Sequence, residues 1–347
     1  MPSLAERLRE RISREGPISF RDFMAAALYD PEAGYYARGP EIGEPGDFAT
    51  SPTISPAFAA AIARRFRRET EPFEGPIDFV EIGAGDGRFL ADLAASLERE
   101  DPSFASRVRL TAVEGSARAR ERLARRRLPG PPRLLGSPEP LRPGSISGWI
   151  FSNELFDALP VARVEGSAEG LRELRVGFEG GRFVWVAAPA PEPCRAHLAS
   201  FAIALAPGQA GEVALDAAPL YRHLSCALAR GSIVTFDYGH RAAVLYHALA
   251  RPRGTLAVHS AGRRGGDPLE RPGEVDLTAH VNWDDLLRAG EAEGLVTRGV
   301  FRQGRYLLEA GIMDLVGSEA EKWRAYRLVD PEGMGDELSV LVQSRGI

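Results

Sequence analysis

Apolar positions recur at helical spacing through residues 4–14 and again through 20–29, where Ser19 stands ready to cap the second helix. Ser55-Pro56 opens a further helix to about Arg68, with proline suited to the first turn. From Ile77 the pattern changes to short apolar runs alternating with amphipathic stretches. Strands are predicted at 77–83, 108–114 and 147–152, and helices at 87–100 and 117–127. That rhythm is the signature of a parallel sheet covered on both faces. It breaks at 161–165, 171–178 and 182–187, which read as an antiparallel meander turning at Gly180-Gly181. Helices follow near 195–205 and 219–229, and 232–237 resumes as a buried strand. The tail supplies a helix at 283–293, a strand at 295–301, helices to about Leu328 and a last strand at 337–343.

Composition narrows the class. The chain has 347 residues, 44% hydrophobic and 26% charged, which is ordinary globular usage. No apolar run approaches the roughly 20 residues needed to span a bilayer, so membrane insertion is not expected. The first 16 residues interleave arginines with Glu6, Glu10 and Glu15, unlike a secretory signal or an acid-poor presequence. A cytoplasmic address is the expectation. Two cysteines and six scattered histidines give no metal-ligand spacing, so no metal is expected. A net charge of −5 argues against nucleic acid as a partner. Arginines cluster at 64–68 and 118–127, but Lys322 is the only lysine. Such a bias fits codon composition better than a phosphate-binding patch.

The chemistry begins at Glu81-Ile82-Gly83-Ala84-Gly85-Asp86-Gly87, which leaves a strand and enters a helix. Glycines there allow a tight turn and let the backbone approach a ligand at the sheet's carboxyl edge. A dinucleotide loop would place its third glycine at position 88, which is Arg88. The pattern found is instead the first motif of Rossmann-like methyltransferases, with S-adenosylmethionine as cofactor and S-adenosylhomocysteine as product. Glu114 ends the next strand, where a carboxylate can accept hydrogen bonds from ribose hydroxyls. A strand-end acid binds ribose in nicotinamide sites too. Glu81, Gly83, Ala84, Gly85, Gly87 and Glu114 are the cofactor candidates, together with Asn153.

Methyl transfer is an in-line displacement in which the protein supplies alignment and excludes water. The acceptor is expected beyond the fourth strand, at Asn153-Glu154-Leu155-Phe156-Asp157-Ala158-Leu159-Pro160. An arginine acceptor stays cationic, with a pKa above about 12, so its site needs acids to hold the guanidinium. Glu154 and Asp157 fit that role; Asp157 capping a helix is the plainer alternative. Asp237, ending the fifth strand, and His280, in 275–282, are further catalytic candidates. His280 could serve as a base near neutral pH, or hold its loop.

These pieces resemble the MidA-like methyltransferase family, whose mitochondrial member is a complex I assembly factor that methylates an arginine. The matching residues are Tyr29-Asp30-Pro31 with Gly34-Tyr35-Tyr36, Gly46-Asp47-Phe48 with Thr50-Ser51-Pro52, the 81–87 loop, 153–160, 268–281 and Gln303-Gly304. They run in family order across nearly the whole chain. The resemblance implies a seven-stranded, mostly parallel class I methyltransferase sheet, a protein substrate, and a 46–52 loop that helps close the cofactor site through Asp47 and Thr50. A respiratory complex I subunit is the candidate partner. The expected organisation is an N-terminal helical lobe over 1–75, a Rossmann-like core over 76–160 and 231–347, and an inserted α+β subdomain over 161–230. Two departures stand out. Thr53 occupies a position where the family usually has glutamate, and 333–338 lacks the family's aromatic and basic residues. Protein arginine methylation is the leading reading; a non-catalytic cofactor-binding scaffold and a small-molecule methyltransferase are the alternatives.

Overall fold

The computed structural model describes residues 2–39, 50–260 and 263–347. Its internal packing divides the chain into two units. The first comprises Met1–Glu41, Phe156–Pro219 and Gly239–Asp285; the second comprises Ile42–Leu155, Leu220–Tyr238 and Leu286–Ile347. The segment 1–75 is therefore shared between them, and 161–230 lies in the first unit as far as Pro219.

The second unit is built on β1 (Ile77–Ile82), β2 (Val108–Val113), β3 (Arg133–Leu135), β4 (Ile146–Asn153), β5 (Leu228–His240, its last two residues in the first unit), β6 (Val296–Arg302) and β7 (Leu338–Arg345). Their order is β6-β7-β5-β4-β1-β2-β3. Neighbours from β3 to β5 run parallel, whereas β7 is antiparallel to both β5 and β6. This is the Rossmann-like class I methyltransferase sheet. The residues of β1 are buried from end to end, as a strand covered on both faces requires.

One face of the sheet packs on the helices Pro56–Thr70 and Arg88–Glu100 through an aromatic core. Phe89 stacks on Phe151 at 4.5 Å, and Phe66 meets Phe79 and Trp149 edge-on at 5.0 and 5.7 Å. Each such ring contributes roughly 1.5–3 kcal/mol by leaving water. The one polar atom of Trp149 is satisfied: its indole N–H donates to Glu69 Oε1 at 2.7 Å, and the Ser232 hydroxyl donates to the same oxygen at 2.5 Å. The arginines of 64–68 serve this packing. Arg65 lies over Tyr306 at 4.0 Å, and Arg67 pairs with Glu71 and Asp101 at 3.6 and 3.7 Å.

The first unit begins with helices Leu4–Glu15 and Phe20–Tyr29, capped by Ser3 and, as expected, Ser19. The meander is present as Ala162–Ser167, Gly170–Glu179 and Arg182–Pro189, and Ala210–Val213 adds a fourth strand beside the first. A small sheet joins Ala257–Ser260 to Asp276–Thr278 and Arg263–Arg264. The helix predicted to 205 stops at Ser200. Ala202 turns to φ 54° and the Ile203 N–H returns to Leu198 O at 3.0 Å, closing a Schellman cap. His197 on this helix is partly buried, its side chain 12% exposed. Its Nε2 lies 3.5 Å from Asp285 Oδ2, too far to bond, and makes no hydrogen bond. Desolvation therefore prevails and lowers the imidazole pKa to about 4.

Two outcomes follow. Gly148 and Gly231 face each other in β4 and β5 at φ 146° and 117°, and an added Cβ would sit 2.0 Å from Asp78 O or 1.9 Å from Gly148 O. Gly148→Ala should cost about 3 kcal/mol or more, read by denaturant unfolding. His197 binds a proton less readily folded than unfolded, so stability falls as pH drops from 6.5 to about 4. His197→Gln should flatten the melting temperature across that window; a slope identical to wild type would assign the loss to other groups.

Candidate active site

At the carboxyl end of β1 the chain passes through Gly83, Gly85 and Gly87, with φ of 75°, 53° and 75°. The amides of Gly83 and Ala84 donate to Val113 O at 2.8 and 3.1 Å, tying the loop to the end of β2. The glycines serve different ends. A Cβ on Gly87 would lie 2.5 Å from Leu123 Cγ, so that position serves close packing of the loop against the helix Ala117–Ala124. A Cβ on Gly85 would meet nothing within 4 Å, so its face of the loop is open for a ligand.

Glu114 follows β2 directly. Its Oε2 accepts from Gly85 N–H at 2.8 Å and its Oε1 from Ser116 N–H at 2.7 Å. Each oxygen keeps a lone pair for a ribose hydroxyl. Burial raises the carboxyl's pKa despite these two bonds. Glu81 is more extreme. It is 5% exposed, and its Oε2 has no hydrogen-bond partner. Burial, then Glu114 and Asp86, hold its pKa well above the usual carboxylate range. A buried carboxyl with an unused oxygen beside other acids suits an arriving cation. The α-ammonium of S-adenosylmethionine is such a cation, its ribose would lie on Glu114, and its chain beside Gly85. The residues present fit the cofactor.

Beyond β4, Asn153 Nδ2 donates to Glu154 Oε1 at 2.9 Å, while Asn153 Oδ1 is buried without a partner. Glu154 sits at φ 49°, a left-handed conformation rare for a residue with a side chain. Its N–H donates to Phe236 O at 2.8 Å. Asp237 is fully buried and supports this turn: Oδ2 accepts from Leu155 N–H at 3.1 Å and Oδ1 from Tyr238 N–H at 2.9 Å. The structure thus joins Asn153, Glu154 and Asp237 in the second unit, beside the 83–87 loop, where a Cβ on Gly83 would meet Leu155 Cδ1 at 3.1 Å.

Asp157 and His280 belong to the first unit. Asp157 O accepts from Ala279 N–H at 2.9 Å, joining the strand-end segment to the histidine loop. The Tyr36 hydroxyl donates to Asp276 Oδ1 at 3.1 Å and its ring stacks on Tyr29 at 5.4 Å. Desolvation of that hydroxyl, then Asp276, Tyr29 and Asp157, hold its pKa well above 10.0. Tyr36 and Asp276 are thus drawn around Asp157, a grouping that sequence reasoning missed although both stand in family motifs. The His280 N–H donates to Thr255 Oγ1 at 3.0 Å, and its ring lies 5.4 Å from His240.

Thr50 and Thr53 form a capping box: Thr53 Oγ1 accepts from Thr50 N–H at 3.0 Å and donates to Thr50 O at 2.8 Å. Ser51 donates to Gln303 Oε1 at 2.9 Å, so two distant family motifs meet in one buried bond. Asp47 lies outside the described residues. A cavity of about 490 Å³ in the first unit, edged by Glu6, Arg9, Arg182 and Asp267, includes none of the expected site residues. Among the described residues no group of three His, Cys, Asp or Glu side chains could hold a metal ion, and no helix is long and apolar enough to cross a membrane.

Comparison with known proteins agrees with the geometry. Residues 57–301 match a family of S-adenosyl-L-methionine-dependent methyltransferases. A protein of Burkholderia thailandensis crystallised with S-adenosyl-homocysteine is 31% identical, with a TM-score of 0.87 over 99% of this chain and 92% of that one. Human protein arginine methyltransferase NDUFAF7 is 27% identical over 337 residues, 88% of this chain and 72% of its own length. Its Drosophila melanogaster homolog is 26% identical over 392 residues, covering 99% and 85%. Both of these relatives are mitochondrial proteins, which overturns the cytoplasmic address expected from the N-terminal composition. The cofactor is S-adenosylmethionine and the product S-adenosylhomocysteine. From the 81–87 loop to the sheet that carries it, the chain belongs to the S-adenosyl-L-methionine-dependent methyltransferases and is an enzyme of that family.

Proposed function

We propose that the enzyme methylates an arginine on a partner protein, with a respiratory complex I subunit as the candidate acceptor. The observation that carries this reading is Glu154, a carboxylate held at φ 49° directly beyond β4, next to the cofactor loop. A guanidinium is cationic at every relevant pH, so its binding requires carboxylates. The arginine methyltransferase relatives support the same class of acceptor.

The bound cofactor supplies a methyl group on a sulfonium, an electrophile needing no further activation. The protein's part is geometric and electrostatic. Glu154 holds the guanidinium and draws its positive charge away from the attacking nitrogen. Asp237 fixes the Glu154 turn through the Leu155 and Tyr238 amides. The proton that the nitrogen loses once the new N–C bond forms passes to solvent. Glu81 and Glu114 orient the cofactor, with Asn153 completing the strand edge and the Thr50 capping box its neighbouring loop.

Protein incubated with methyl-labelled cofactor and a lysate lacking this gene product should place label in methyl-arginine after acid hydrolysis of protein. Label confined to small metabolites would establish a small-molecule methyltransferase instead. Glu154→Gln should leave S-adenosylhomocysteine affinity nearly unchanged and lower methyl transfer by about 100-fold or more. Transfer at the wild-type rate would remove Glu154 from the guanidinium site. Glu114→Ala should weaken cofactor binding by about 1.5–3 kcal/mol in calorimetry, and Glu114→Gln by less. Equal affinity of Glu114→Ala and wild type would give the acid another role.

A further inference from the structure

The surroundings of Glu81 carry a consequence beyond cofactor identity. Its side chain is buried, Oε2 has no hydrogen-bond partner, and the charges that act on it are the acids Glu114 and Asp86. The nearby arginines serve those acids. Arg126 pairs with Asp86, and Arg120 acts on Glu114. Both oxygens of Glu114 are already anchored to the amides of Gly85 and Ser116. Without a ligand, no cationic side chain among the described residues pairs with an ionised Glu81. An ionised carboxylate in that position would combine desolvation with like-charge repulsion, the two effects that favour a protonated acid.

We propose that Glu81 is a proton-linked switch for cofactor capture: the empty site holds a neutral carboxylic acid, and the ligand's α-ammonium binds as that acid gives up its proton. The step is balanced. The O–H bond of the Glu81 carboxyl breaks, its electron pair stays on the carboxylate, and the proton passes to solvent. The ammonium keeps all its protons and pairs with the new carboxylate. Burial of the pair strengthens their attraction, so the ionised form prevails in the complex. Affinity then depends on pH with a defined sign. Below the raised pKa of the empty site, each step toward acid adds the cost of removing a proton, so binding weakens. The same linkage acts on substrate and product cofactor, because both carry the ammonium.

Calorimetry of the full chain with S-adenosylhomocysteine, in buffers of different ionisation enthalpy, tests this directly. Below the raised pKa of the empty site the wild type should release close to one proton per ligand, and its affinity should fall by about tenfold per pH unit toward acid. A flat affinity with heats independent of buffer would overturn the proposal. Two comparisons assign the proton. 5′-Methylthioadenosine keeps the adenine, ribose and thioether but lacks the ammonium, and its binding should release none. The same release with this ligand would place the proton on a group facing the nucleoside, Glu114 foremost, and refute the role of Glu81. Glu81→Gln, checked for folding by its melting temperature, should bind S-adenosylhomocysteine more weakly and without pH dependence. Undiminished proton release from the folded variant would also refute it. Should that variant fail to fold, the contrast between the two ligands on the wild type decides alone.

Discussion

Everything at the site depends on β1, β2 and β4 running parallel in one register. Strands that run parallel end on the same edge, so Ile82 is level with Val113 and Ser152, and the next residues of all three emerge together. That places the glycine loop, Glu114 and Asn153 side by side without any contact needed to gather them. The register is fixed at the opposite end. Asp78 is buried and accepts from Arg109 Nε and Nη2 at 2.9 Å each, and from Ser147 N–H at 2.9 Å, joining all three strands through one carboxylate. A slip of one residue would turn Glu81 to the other face of the sheet.

The fold was legible where local pattern and tertiary demand coincide. Buried strands such as β1 and β5 carry short apolar runs, Phe79-Val80 and Ile233-Val234 among them, and Ser19, Pro56 and the glycine loop mark element ends by local chemistry. Arg133–Leu135 has no such signal: three residues, two of them exposed, become a strand only because β2 offers a free edge. Ala210–Val213 is similarly short and gains its identity from pairing with Ala162–Ser167. The cofactor loop was legible because its residues are contiguous. The Tyr36–Asp276 bond joins residues 240 apart, and no spacing rule reaches that far. Nor can residue type reveal how a carboxylate is used. Glu154 follows β4, whereas Asp237, expected to end its strand, lies within β5, which continues to His240, and holds backbone amides through both oxygens. Thr53 shows the converse. A departure from the family's glutamate preserves the cap, because a hydroxyl at the third helical position can bond the Thr50 backbone as a carboxylate would.

The strand edge also shows where stability yields to function. Glu81, Asp86 and Glu114 crowd one end of the sheet, yet Arg126 pairs only with Asp86. A fold selected for stability alone would place an apolar residue at 81, since β1 is buried throughout. The raised pKa values of Glu81 and Glu114 at one edge mark a place prepared for a charged ligand. The contrast with Glu69 is instructive. That carboxylate also sits among aromatic rings, but Trp149 and Ser232 both bond it, and it serves packing only.

Glu154 poses the sharper question of why a residue with a side chain stands at φ 49°. Glycine would adopt that conformation freely, whereas a side chain there costs about 1–3 kcal/mol. The surrounding bonds impose the turn: Glu154 N–H is held by Phe236 O, and Leu155 N–H by Asp237. None of these bonds uses the Glu154 side chain. Asn153 Nδ2 donates to its carboxylate at 2.9 Å, a part-buried bond that contributes about 1 kcal/mol. What the glutamate adds is a carboxylate fixed in direction at the strand edge beside the cofactor loop. The proposed guanidinium site draws on that constraint.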